Sequence, residues 1–157
     1  MKNKILIQNA TIISEERKFI SDLLIENERI SKIKPNIQDS DIDLIIDATN
    51  KILVPGLIDD QVHFREPGLT HKATINSESK AAIAGGITSF IEMPNTLPQT
   101  TTIDELTNKF KIAENNSYAN YSFMFGATNS NLEEIKKIDK NEVAAVSYTH
   151  LTLPTKA

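Results

Sequence analysis

From Gly56 onward, short apolar runs alternate with helix-prone stretches across brief loops, and no other feature limits the fold of this chain as tightly. Leu57-Ile58 leads a strand through Asp59-Asp60-Gln61-Val62-His63-Phe64-Arg65, which Pro67-Gly68 ends. His71 to Ala84 is rich in Ala, Lys, Glu and Ser. It predicts a helix that stops at Gly85-Gly86, where a left-handed φ is cheap. Ile87 to Met93 reads as a buried strand closed by Pro94. Thr102 to Glu114 reads as a second helix, with Thr102 as N-cap and Glu105 as its capping-box partner. Tyr118 to Phe125 is a third strand, Asn129 to Ile138 a third helix, and Asn141 to Ala145 opens a fourth strand. Such an order requires a parallel sheet, either doubly wound or a (β/α)8 barrel.

The residues before this segment follow a different rule. Lys4 to Gln8 and Arg29 to Ile33 alternate, Leu23 to Ile25 is apolar, and Asp43 to Asp47 and Lys51 to Val54 complete a set of short strands. A turn at Glu26-Asn27-Glu28 separates two of them, so residues 1–54 are expected to form a small β-rich unit. The change of pattern at Pro55-Gly56 marks the boundary. The 157 residues suit one domain with a small neighbour, and 39% hydrophobic with 24% charged residues is a globular composition. No apolar run approaches the roughly 18 residues of a membrane span. With no cysteine there is no disulfide framework, thiolate metal site or cysteine nucleophile. The balance of 21 Asp+Glu against 17 Lys+Arg, without a basic block, argues against a nucleic-acid partner. The N-terminus lacks the apolar core and cleavage site of a signal peptide, so a cytoplasmic protein is expected.

Chemistry concentrates where the first strand of the second segment ends. Period-2 alternation predicts Asp59, Gln61, His63 and Arg65 on one face, approaching the end of the strand at which barrel enzymes build their sites. A neutral imidazole there can ligate a metal, a nearby carboxylate can orient it, and an arginine can grip a carboxylate in two places. Asn95, after the next strand, would face the same mouth. By spacing alone such a histidine is more often a hydrogen-bonded surface residue, Asp59-Asp60 could be a solvated turn, Gly85-Gly86 is more often a helix stop than a phosphate cradle, and His71 reads as a first-turn helix residue. The residues by themselves indicate an α/β enzyme fragment that could use a metal.

The stretch Pro55-Gly56-Leu57-Ile58-Asp59-Asp60-Gln61-Val62-His63-Phe64-Arg65-Glu66-Pro67-Gly68 closely resembles the metal-site motif of dihydroorotases, cyclic amidohydrolases of the amidohydrolase superfamily. Ala81-Ala82-Ile83-Ala84-Gly85-Gly86-Ile87-Thr88 and Glu92-Met93-Pro94-Asn95-Thr96 continue the resemblance, in order, as far as about residue 145. It implies an N-terminal β-sandwich portion over residues 1–54 and, over 55–145, about three and a half of the eight units of a TIM-type barrel. It also implies zinc-dependent, reversible cyclisation of N-carbamoyl-L-aspartate to L-dihydroorotate in pyrimidine synthesis. His63 matches the second histidine of a His-x-His pair and would bind Zn2+. Arg65 and Asn95 match residues that hold the substrate carboxylate, and Asp59 matches the acidic residue just before the pair. The partners so implied are the small-molecule substrate, with a homo-oligomer or an aspartate carbamoyltransferase partner as further expectations. The alternatives are an allantoinase- or hydantoinase-type enzyme and a non-catalytic dihydroorotase-like protein.

Gln61 departs from the pattern by standing where the first histidine belongs. An amide oxygen is a poor zinc ligand, so weak or single-metal occupancy is expected. The run Val146 to Thr155 matches, residue for residue, the translation of a transposase adapter used in preparing sequencing libraries. Residues 146–157 are therefore expected to be a non-native tail, and His150 is not read as a ligand. The bridging ligand, further histidines and general base of the family would lie beyond this segment, and the 157-residue chain alone is expected to be inactive.

Overall fold

The computed structural model describes residues 3–148, which divide into two compact units at Pro55/Gly56. The first unit is a mixed five-stranded sheet. β1 (Lys4–Ser14) pairs antiparallel with β2 (Arg17–Glu26), and β2 with β3 (Arg29–Lys34). On its other side β1 runs parallel to β4 (Leu44–Asp47) and then to β5 (Ile52–Leu53). The β2–β3 hairpin turns at the expected place, with Asn27 and Glu28 at φ 49° and 66°, the left-handed pair that matches strand twist.

β1, at 11 residues, is about twice as long as its alternating stretch suggests, and β2, at 10 residues, about three times as long as its apolar one. Polar Gln8 and Asn9 interrupt the pattern of β1 because the β1–β2 register shifts between Ile7 and Ala10. Asn9 sits in this bulge at φ 61°, and its N–H donates to Asp22 Oδ1 at 2.9 Å. The bulge moves the apolar set of β1 to the opposite face. Leu6 thus joins Leu24 and Ile37, whereas Ala10 and Ile12 join Leu23 and Ala48. These are two small cores, one on each side of a single sheet.

One end of this sheet is held by charge. Asp39 lies 2.7 Å from both Lys32 Nζ and Lys4 Nζ. Hydrogen bonds from Lys32, and then Lys4, hold its carboxyl down at about 2. A carboxyl depressed by folding stabilises the fold above its unfolded value of 3.8, and that contribution disappears as pH falls through the folded value. Asp39→Asn is thus expected to lower the thermal midpoint at about pH 5 and to have progressively less effect as pH falls toward about 2. A thermal melt series across that range checks it, and a difference that does not shrink with pH would contradict the pairing.

In the second unit, β6 (Leu57–Val62), β7 (Ile87–Glu92), β8 (Asn120–Ala127) and β9 (Val143–Tyr148) form a curled, wholly parallel sheet. Their order is sequential, β6-β7-β8-β9, without the reversal that marks a doubly wound sheet. α1 (Ile75–Ala84) and α2 (Ile103–Asn116) cover one face, and the four-residue α3 (Leu132–Ile135) connects β8 to β9. The core lies between sheet and helices: Phe64, Phe90, Phe123 and Phe125 from the sheet side meet Ile75, Leu106 and Ala113. Phe64 and Phe90 meet at 4.5 Å between ring centroids with their planes tilted by 46°, and Phe110 meets Phe123 edge-on at 4.9 Å.

Helix boundaries follow hydrogen-bonding side chains more closely than composition. Thr74 caps α1 in a reciprocal box with Ser77, so the helix begins four residues after His71, which is left in an exposed turn. Gly86, at φ 87°, takes the chain out of α1. Thr102 caps α2 as expected, its Oγ1 accepting from Glu105 N at 3.2 Å. Glu105 does not return the bond to Thr102 N; the next free N–H of the helix, that of Ile103, donates instead to Glu134 Oε2 at 2.9 Å. β9 runs three residues past Ala145, with Val146, Ser147 and Tyr148 opposite Phe125, Gly126 and Ala127. His150 and the remainder of the expected tail lie outside the described residues. No helix among the described residues is long and apolar enough to cross a membrane.

Candidate active site

The candidate site lies where β6 and β7 end at their C-terminal edge. Two Cα partners in the β6–β7 register, Asp59 opposite Phe90 and Val62 opposite Glu92, place three steps of β6 against two of β7. This is a bulge, and it breaks the alternation predicted for the strand. Asp59 Oδ1 accepts from Gln61 N at 3.2 Å, an Asx-type contact that stabilises the extra residue. The expected common face of Asp59, Gln61, His63 and Arg65 is therefore corrected. Asp59 lines a groove on the helix side with Val62, Phe64, Glu78 and Phe90. Gln61 is exposed.

His63, the first residue after β6, is half-buried. Its Nδ1 lies 2.9 Å from Asn95 Oδ1. With Nδ1 protonated the ring donates to the amide oxygen, and Nε2 keeps its lone pair for a metal. The part of orienting His63, expected of Asp59, is thus filled by Asn95. The Asn95 amide nitrogen is left to donate elsewhere. Among the described residues there is no cluster of three or more His, Asp or Glu groups placed to hold a metal ion. His63 fits a zinc ligand, and the described residues do not complete a zinc site by themselves.

Arg65 follows at φ 71°, a left-handed conformation unusual for a residue with a long side chain. Its N–H donates to Glu92 Oε1 at 3.0 Å, and its carbonyl accepts from Leu69 N at 3.0 Å. Glu66 Oε2 accepts from Ile75 N at 2.8 Å, tying the loop to the first turn of α1. The β6 loop then touches the β7 loop through Leu97 N to Pro67 O at 3.2 Å. Gly68 is required at this crossing: it has φ 82°, and a Cβ there would stand 1.9 Å from Leu97 O. Gly68→Ala is expected to cost about 2 kcal/mol or more and to separate the two loops. Urea denaturation checks it, and an unchanged midpoint would refute the close approach.

Two residues of this neighbourhood were not expected from the sequence. Glu92 ends β7 on its helix-facing side, and Lys109 of α2 reaches it at 3.2 Å with both side chains buried. Burial pushes the Glu92 carboxyl up and the Lys109 ammonium down, each opposed by the other's charge. The sequence did carry a signal. Glu92 lies two residues after Phe90 on one strand face, and Lys109 lies on the helical stripe of Leu106 and Ala113.

Residues 50–140 match the family described as dihydro-orotase-like. The chain belongs to that family. Among curated dihydroorotases, that of Pediococcus pentosaceus is 42% identical over 108 residues, covering 69% of this chain and 25% of that protein. That of Ehrlichia chaffeensis is 40% identical over 154 residues, covering 93% of this chain and 34% of that protein. Among solved structures, the L-hydantoinase (dihydropyrimidinase) of Arthrobacter aurescens superposes with a TM-score of 0.86 at 28% identity. That alignment covers 93% of this chain and 32% of the hydantoinase. The chain thus spans about a quarter to a third of the length of the dihydroorotases it matches. The dihydro-orotase-like segment takes in the β6 loop, the β7 loop and the Glu92–Lys109 pair.

Proposed function

We propose that this chain is part of a dihydroorotase that interconverts N-carbamoyl-L-aspartate and L-dihydroorotate, with the rest of a (β/α)8 barrel supplied by the full-length protein. The observation that carries the reading is the contact between His63 Nδ1 and Asn95 Oδ1. It prepares an imidazole Nε2 as a metal ligand at the end of a parallel strand, where barrel enzymes gather their catalytic groups. When bound, zinc would polarise the amide carbonyl and lower the pKa of water. His63 would be one of its ligands, and Gln61 favours weak or single-metal occupancy.

The chain's own residues account for substrate binding. Arg65 supplies a permanently charged guanidinium suited to a carboxylate. Asn95, with its oxygen on His63, offers its NH2 to the same anion. Asp59 stands behind the strand and supports the bulge that presents His63. The first unit, with Leu44, Ile45 and Ile46 exposed along β4, is the sheet on which the remaining strands of a β-sandwich would pack. The domain reading is 1–54 as sandwich portion, 55–145 as barrel portion and 146–157 as a non-native tail.

The full-length protein, assayed on dihydroorotate, carbamoyl-aspartate, allantoin and hydantoin, is expected to turn over only the first two. Elemental analysis is expected to find no more than one tightly held zinc per chain, whereas two would refute the consequence drawn from Gln61. Turnover of allantoin or hydantoin instead would move the substrate assignment. The same glutamine favours a second, non-catalytic reading. Co-purification with aspartate carbamoyltransferase in the absence of any turnover would support that one.

A further inference from the structure

A carboxylate and an ammonium meet in the apolar layer directly behind the loop that carries Arg65. Their side chains are 1% and 0% exposed, and Lys109 Nζ lies 3.2 Å from Glu92 Oε2. Packing does not require such a pair, because apolar side chains of similar volume serve a core as well or better. Its hydrogen bonds indicate another purpose. Glu92 Oε1 accepts the Arg65 N–H at 3.0 Å. Lys109 Nζ donates to the Met93 carbonyl at 2.9 Å and to Thr100 Oγ1 at 3.4 Å. Thr100 N in turn donates to the Pro94 carbonyl at 3.0 Å. One buried pair therefore pins the backbone at Arg65 and, directly at Met93 and through Thr100 at Pro94, the backbone that leads into Asn95.

Arg65 needs such pinning. At φ 71° its backbone lies in a region that a residue with a side chain occupies only where its surroundings impose it. A relaxation of that torsion would change the direction in which the guanidinium leaves the loop. An N–H bonded to a charged acceptor inside a protein is among the stronger single restraints available to a loop.

We propose that Glu92, held in place by Lys109, is a positioning residue that sets the backbone of Arg65 against Asn95 and so fixes the geometry with which the substrate's carboxylate is gripped. The proposal rests on the dihydroorotase reading for its substrate and on the backbone geometry for everything else. It assigns the pair to anion binding and not to chemistry at the metal.

Two double variants of the full-length protein separate positioning from simple core stability. Glu92→Met with Lys109→Met removes both charges and the acceptor for Arg65 N–H. Glu92→Gln with Lys109→Met also removes both charges but keeps an oxygen where Oε1 stands. The first is expected to raise KM for dihydroorotate about tenfold, with kcat within about twofold and zinc content unchanged. The second is expected to return KM to within about threefold of the parent. Equal KM values for the two double variants, or a fall in kcat at constant KM, would overturn the proposal. Amide hydrogen exchange at Arg65 gives a readout independent of activity. Exchange is expected to be faster in the Met/Met protein than in the Gln/Met protein, and equal rates would overturn the proposal. The expected difference in exchange between the two variants, with a parent that turns over neither dihydroorotate nor carbamoyl-aspartate, would refute the dihydroorotase reading and leave the positioning role standing.

Discussion

His63→Ala, in the full-length protein, is expected to reduce bound zinc and to lower kcat/KM for dihydroorotate by at least about three orders of magnitude. The size of the effect follows from what one imidazole does here. Its Nδ1 is engaged by Asn95, so the ring's orientation and tautomer are set before any metal arrives. Gln61, two residues earlier, offers only a neutral amide oxygen as a substitute, and nothing else among the described residues clusters to replace the ligand. Metal analysis alongside steady-state kinetics checks the prediction. Full activity with full zinc content would remove His63 from the metal site.

The largest loss of stability is expected from Lys109→Ala, at about 3–5 kcal/mol in urea denaturation. Lys109 is the only group that compensates the Glu92 carboxylate on its Oε2 side among the described residues. Without the ammonium, burial would push the carboxyl further up, and Glu92 would fold protonated or with water drawn into the core. The alanine also leaves a void beneath Phe123, whose ring centroid lies 5.1 Å from Lys109 Nζ. Neutralising both partners with methionine is expected to cost far less than removing one. A single-variant loss below about 1 kcal/mol would mean that another group satisfies Glu92.

These two residues also mark how far the sequence could be read. The alternation of strands and helices after Pro55-Gly56 was legible because each element carries its own period and punctuation, and Thr102 and Gly86 end or begin helices where their chemistry predicts. The choice between a doubly wound sheet and a barrel was not legible, since it depends on strand order, which no local pattern encodes. His63, Asn95 and Arg65 were legible as site candidates through a motif. Their mutual geometry was not. The bulge at Asp59 inverts the alternation from which that aspartate was placed beside His63. Two charged residues on apolar faces, Glu92 and Lys109, were passed over because either charge alone suggests solvent. Only the fold brings them within 3.2 Å. The start of α1 departs from its composition for a related reason: a single threonine cap at position 74 outweighs three helix-prone residues before it.

The bond between His63 and Asn95 makes the proposed metal ligand and the proposed anion contact one electrical unit. An anion accepting from the Asn95 amide nitrogen would polarise that amide and render its oxygen a stronger acceptor, which makes the imidazole a better donor to a cation. Substrate and metal affinities would then rise together, and each measured alone would understate what the loop pair contributes. A substitution at Asn95 would register in a zinc titration before any substrate was added, so a double-mutant cycle with His63, rather than a comparison of Michaelis constants, is the measurement that can apportion its role.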